Sequence, residues 1–166
     1  FFETCIKNNL NNIIFSSTAS VYGKKKSKKN FSENDNLNPS NPYAKSKLKV
    51  EKYLKKKFKQ KQANFIILRY FNVAGADLKL RSGLIDKKSS HLIKVVCEVI
   101  TKKKDYLTIN GNNFDTPDRT TIRDYIHILD LANIHLLALI YLLKKKKSEI
   151  LNCGYGKGFS VLEIVK

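Results

Sequence analysis

The feature that most limits the fold is an alternation. Short runs rich in Ile, Val, Phe and Tyr take turns with stretches of helical periodicity along nearly the whole chain. That pattern specifies parallel strands joined by helices, an α/β architecture. Residues 12–17 and 63–71 read as buried strands, 106–109 and 122–128 as strand-like, and 149–152 as a further strand. Residues 43–61 form a long basic helix whose apolar face carries Leu48, Tyr53, Leu54 and Phe58. Asn41 as N-cap and Pro42 at the first helical position mark its start. Residues 91–101 and 129–143 are also helical, and Ser160 opens another helix. A polar loop with Gly23, Pro39 and Pro42 precedes the long helix. Neither an internal repeat nor an interdomain linker interrupts this order.

Hydrophobic residues make up 42% of the 166, which suits a packed core and exceeds what a disordered chain carries. No apolar run approaches the ~18 residues of a membrane span. The longest candidate, 136–143, ends in the lysines Lys144 to Lys147, and no secretory signal opens the chain. A net charge of +18 raises the question of nucleic acid, but Arg is confined to Arg69, Arg81, Arg119 and Arg123. The rest is Lys, much of it in tracts such as Lys24 to Lys29, whereas base and phosphate readers use Arg forks and interleaved aromatics. The expectation is a solvated basic surface with nonspecific anion binding at low salt and no specific nucleic-acid site. Cys5, Cys97 and Cys153 are far apart, odd in number and without ligand spacing. They point to reduced thiols, no metal and a cytoplasmic setting. Met is absent throughout, so the chain reads as an internal fragment.

Tyr43 and Lys47 stand four apart at the start of the long helix and so share one face. A free phenol, with a pKa of ~10, is a poor base near neutrality. Lowering it by ~3 units takes about 4 kcal/mol, which one cation ~4 Å away supplies at an effective dielectric of ~20. The positive end of the helix acts in the same direction. Such a pair is common on helix surfaces, and its meaning comes from its context. Thr18 ends a buried strand about 25 residues upstream, where α/β folds bind their ligands. The plainer reading of Thr18 is a turn residue capping its own backbone.

Strand-end Thr followed by Tyr-x-x-x-Lys on a helix resembles the short-chain dehydrogenases/reductases. The stretches FSSTASVYG, NPYAKSKLKVEKYL, ILRYFNVAGAD, HLIKVV, LTINGNNFDTPDRTTIRDYIHILDLANIHLLAL and LNCGYGKGFSVLEIV are similar, in order, to the extended branch of that family and to its UDP-glucose 4-epimerases. The resemblance implies a partial Rossmann-like parallel sheet plus part of a smaller substrate-binding domain. Residues 1–75 would belong to the NAD-binding domain and 76–166 mainly to the UDP-sugar region, with 122–147 returning to the first. It further implies NAD as cofactor and 4-epimerisation of UDP-glucose and UDP-galactose through a 4-keto sugar. Tyr43 would be the general base, Lys47 its partner and a ligand of the nicotinamide ribose, and Thr18 a bridge between sugar and phenol. Tyr70 and Phe71 would lie against the cofactor and Asn72 against the substrate. His91 and Leu92 would lie near the diphosphate, Thr108, Ile109 and Asn110 near the uracil, and Arg123 on the phosphates. An Arg fork suits phosphate oxygens in any case, and the alternative for Arg123 is a salt bridge with Asp124. A homodimer packed through helices is implied as well.

Related dehydratases carry an acidic pair after the strand-end Thr. Here those positions are Ala19 and Ser20, which argues against elimination of water. The family's Gly-rich dinucleotide motif does not occur in these residues, and the glycines from Gly154 to Gly158 have the wrong spacing and read as a turn. Asn110 replaces a usual aromatic, Asp115 a usual Pro and Arg119 a usual Gly. If that Gly adopts a positive φ, Arg119 is strained. An incomplete sheet would leave apolar surface exposed. The rival readings are an inactive remnant of such an enzyme and a basic nucleic-acid-binding module.

Overall fold

The computed structural model describes residues 1–24, 30–60, 63–86 and 88–166. Most of the first lysine tract, and the expected last residue of the long helix, lie outside the described residues. The chain divides into two compact units, Phe1–Phe71 with Ala132–Cys153 and Asn72–Leu131 with Gly154–Lys166.

The first unit is built on a parallel sheet in the order β1-β2-β5, with β1 at Asn12–Thr18, β2 at Asn64–Tyr70 and β5 at Glu149–Cys153. Central β2 is buried along nearly its whole length, as its apolar run requires when both faces are covered. Helix α1 (Phe2–Lys7) leads into β1, and a single helical turn (Ala19–Tyr22) follows it. Helix α2 (Pro42–Gln60) starts as expected: the Asn41 side chain accepts the amide of Ala44 at 2.8 Å. Its buried stripe runs Ala44, Leu48, Glu51, Leu54, Phe58, a helical spacing with one carboxylate in the middle. Leu54 and Phe58 join Ala63, Phe65 and Ile67 in the main apolar cluster. Tyr53, expected on this face, is only half-buried.

The second unit holds a mixed sheet in the order β3-β4-β6: Asn72–Ala74 runs parallel to Ile122–His127, which pairs antiparallel with Gly158–Ser160. Helix α3 spans Leu92–Ile100, and α5 (Val161–Val165) is closed by a capping box between Ser160 and Glu163. Helix α4 (Ile128–Lys145) begins in the second unit and continues in the first.

Several expectations differ from this arrangement. Residues 106–109 form no strand; they line a cleft instead. Strand β4 lies in the second compact unit, and the first unit takes up the chain again over Ala132–Cys153, which includes β5. Strands β3 and β6, three residues each, are too short to leave an alternation in the sequence. Exposed apolar residues cluster on α4, at Leu136, Leu137, Leu139, Ile140 and Leu143, and others, such as Leu78, Leu80 and Ile85, lie outside it. Among the described residues no helix is long and apolar enough to cross a membrane.

Arg119 does adopt a left-handed backbone, with φ at 62°. A Cβ in that region is disfavoured by about 1–2 kcal/mol, partly offset by the greater chain entropy that Gly loses on folding. Arg119→Gly is therefore expected to stabilise the chain by about 0.5–1 kcal/mol, read as a higher midpoint in denaturant with an unchanged slope.

Candidate active site

Parallel strands place their carboxyl ends on one side of a sheet, and the first unit gathers its reactive groups there. Thr18 closes β1 and stands in register with Tyr70, which closes β2. Helix α2 starts beside them and supplies Tyr43 and Lys47. Thr18 is buried, and its hydroxyl accepts the amide of Ser20 at 3.2 Å; it also acts to lower the Tyr43 phenol. The plainer reading of Thr18, a residue capping its own turn, is thus present. Lys47 donates to the Ser16 carbonyl at 2.9 Å, and its ammonium lies 5.7 Å from the centre of the Tyr43 ring.

This geometry changes one expectation. Burial raises the Tyr43 phenol above its ordinary value, the nearby Tyr70 oxygen adds to the rise, and the Thr18 hydrogen bond only partly opposes them. The Lys47 cation is engaged by a backbone carbonyl and sits over the body of the Tyr43 ring. Tyr43 is nevertheless 54% exposed, open to a ligand approaching the strand ends. A hydroxyl, a phenol and an ammonium at one place form a donor set that fits ribose and sugar hydroxyls. Phe71 follows β2, half-buried, at the same end.

The second unit holds the remaining predicted residues. Leu92, Thr108, Ile109 and Asn110 line one cleft of about 960 Å³, with Lys88, Ser89, Ser90, Lys103, Lys104 and Tyr106 also on its walls. Cleft volumes of this order suit a ligand of nucleotide size. His91 occupies the N-cap position of α3 and is exposed; it is not among the lining residues of the cleft. Arg123 is exposed on β4 and donates to the Ile122 carbonyl at 2.9 Å. The alternative pairing with Asp124 does not form: that carboxylate accepts the amides of Tyr155 at 3.2 Å and Gly156 at 2.8 Å. The Gly154 to Gly158 stretch is thus a loop held by Asp124, with φ of 73° at Gly156. Asn72 begins β3 and is exposed.

Beneath the first site lies a polar network that sequence reading missed. Glu51 and Arg69 form a fully buried ion pair, with Ser17 and Tyr22 bonded to its members. Burial opposes the charge of Arg69, but its bonds to Glu51 and Tyr22 outweigh that and hold it firmly protonated. The signal was an Arg inside an apolar strand run, which needs a buried partner. At the neighbouring strand end, burial pushes the Cys153 thiol up to about 11, so it is no nucleophile near neutrality.

Comparison with known proteins places the chain among relatives of known fold. The chain is 44% identical to a UDP-glucose 4-epimerase of Azospirillum brasilense over 162 residues, 98% of this chain and 46% of the relative. The UDP-glucose 4-epimerase of Brucella ovis, solved with NAD, superposes with a TM-score of 0.90 at 36% identity, covering 98% of this chain and 50% of that one. That of Bifidobacterium longum, solved with NAD+ and UDP, gives 0.86 at 33% identity, over 98% and 49%. The chain therefore spans about half the length of the relatives it matches. Residues 1–154 match one family over nearly their whole run, and the chain belongs to the NAD dependent epimerase/dehydratase family.

Proposed function

We propose that the protein carrying this chain interconverts UDP-glucose and UDP-galactose by NAD-dependent 4-epimerisation through a transient 4-keto sugar. The observation that carries the reading is the convergence of Thr18, Tyr43 and Lys47 at the carboxyl ends of parallel strands. Its support from relatives is their description as UDP-glucose 4-epimerases, two of them solved with NAD.

Tyr43 takes the proton of the sugar C4 hydroxyl and later returns one, while Thr18 bridges the phenol and the sugar oxygen. Lys47 holds the nicotinamide ribose and stabilises the phenolate once a ligand draws its ammonium from the Ser16 carbonyl. Tyr70 and Phe71 flank the cofactor, and Asn72 orients the sugar. The chemistry supplied by NAD when bound is hydride acceptance and return, together with the positive charge of its oxidised ring. That charge and the Lys47 cation both favour a phenolate, which the ligand-free surroundings of Tyr43 oppose. In the second unit, Thr108, Ile109 and Asn110 receive the uracil, with His91, Leu92 and Arg123 toward the diphosphate. Tyr106, 75% exposed on the same cleft, offers the ring that Asn110 lacks. The first unit thus serves mainly the cofactor and the second the UDP-sugar. A homodimer packed through helices and a cytoplasmic setting complete the reading, the latter resting on three free cysteines.

The test is incubation of the protein with UDP-galactose and NAD. UDP-glucose is the expected product. A 4-keto-6-deoxy sugar would make it a dehydratase, and UDP binding without turnover would make it an inactive relative; either result overturns the proposal.

A further inference from the structure

Successive turns of helix α2 grip consecutive residues of strand β1. The Lys47 ammonium donates to the Ser16 carbonyl at 2.9 Å and the Ser17 hydroxyl donates to Glu51 at 2.5 Å, while the next residue, Thr18, supplies the hydroxyl that lowers the Tyr43 phenol. Residues four apart lie one above another on a helix, so Tyr43, Lys47 and Glu51 stand in a single file. Glu51 has no freedom to drift. Arg69 donates its Nε to Oε1 at 3.0 Å and its Nη2 to Oε2 at 2.6 Å, a forked pair at 0% and 1% exposure. Arg69 is itself held by the Tyr22 hydroxyl at 2.9 Å, and Tyr22 donates to Asn152 of β5 at 2.7 Å.

A buried ion pair is seldom kept for stability, because an apolar pair of equal volume packs as well. What the fork adds is register: apolar side chains tolerate sliding, whereas a carboxylate gripped by three donors does not. We propose that Glu51 and Arg69 are positioning residues: Arg69, on β2, fixes Glu51, which holds Ser17 of β1 and so sets helix α2 against that strand with Tyr43 presented to Thr18. The proposal rests on the reading of Tyr43 as base for its purpose, while the geometry it asserts is measurable without substrate or NAD.

The experiment follows the titration of Tyr43 by NMR in the chain labelled at the tyrosine ζ-carbon, with the signal identified by its loss in Tyr43→Phe. In the wild-type background, Thr18→Val is expected to raise the titration midpoint by about half a pH unit, roughly the worth of one hydrogen bond. In a background carrying Glu51→Leu and Arg69→Met, the same change is expected to have less than about half that effect, because the two groups no longer meet. An undiminished effect overturns the proposal. If that background lacks a cooperative melt, Ser17→Ala removes one link with the ion pair intact and takes its place. A reduced Thr18→Val effect there supports the proposal, and a full one overturns it. Turnover is not the readout, so an inactive protein with intact coupling counts against the reaction alone.

Discussion

Tyr43→Phe is expected to lower epimerisation by about 10²–10⁴-fold, the usual worth of a positioned acid–base group, while UDP binding stays within about twofold. The ring remains, so packing at the start of α2 is retained; only the oxygen that exchanges the proton is lost. UDP binding is spared because the cleft assigned to the nucleotide is lined by residues of the second unit, and Tyr43 is not among them. The check is a paired measurement: turnover of UDP-galactose and calorimetric binding of UDP. A variant that loses both equally would indicate a folding defect, and one that keeps its turnover would remove Tyr43 from the chemistry.

Arg69→Ala carries the largest expected effect on stability, a loss of about 3–5 kcal/mol. Glu51 is fully buried, and the substitution strands its charge with the Ser17 hydroxyl as remaining partner. It also leaves the Tyr22 oxygen without the guanidinium and opens space against central strand β2. Marginal domains have only about 5–15 kcal/mol in hand, so a large part of the first unit's stability depends on one side chain. Chemical denaturation of the variant measures it. Arg69→Met with Glu51→Leu is expected to recover most of the loss, since the uncompensated charge is then gone.

The elements that could be read from the sequence were those with long, unmixed patterns. Strand β2 showed itself by a nearly continuous apolar run, and α2 by its Asn-Pro start and the spacing of Leu48, Leu54 and Phe58. Short strands β3 and β6 have no period to detect, and helix α1 is too brief for one. Residues 106–109 alternate like a strand, yet they serve as a cleft wall, and local propensity cannot distinguish the two. In the site, the spacing of Tyr43 and Lys47 located the groups but not their orientation. Where the Lys47 ammonium points depends on the Ser16 carbonyl, a backbone atom from another element. The Glu51–Arg69 pair was written in the sequence as two charges inside apolar patterns, but only the packing of α2 against β2 reveals that they meet.

The central claim is that the Tyr43 oxygen exchanges the proton with the sugar. The pH dependence of UDP-galactose turnover tests it most directly, with wild type and Tyr43→Phe compared at saturating substrate. Turnover requires a phenolate, so the rate is predicted to climb with pH through the titration of Tyr43 and then level off. In Tyr43→Phe that rise is predicted to vanish, leaving a low, flat residual rate. A Tyr43→Phe profile that keeps the same rise at the same pH would contradict the account, because another group would then be the base.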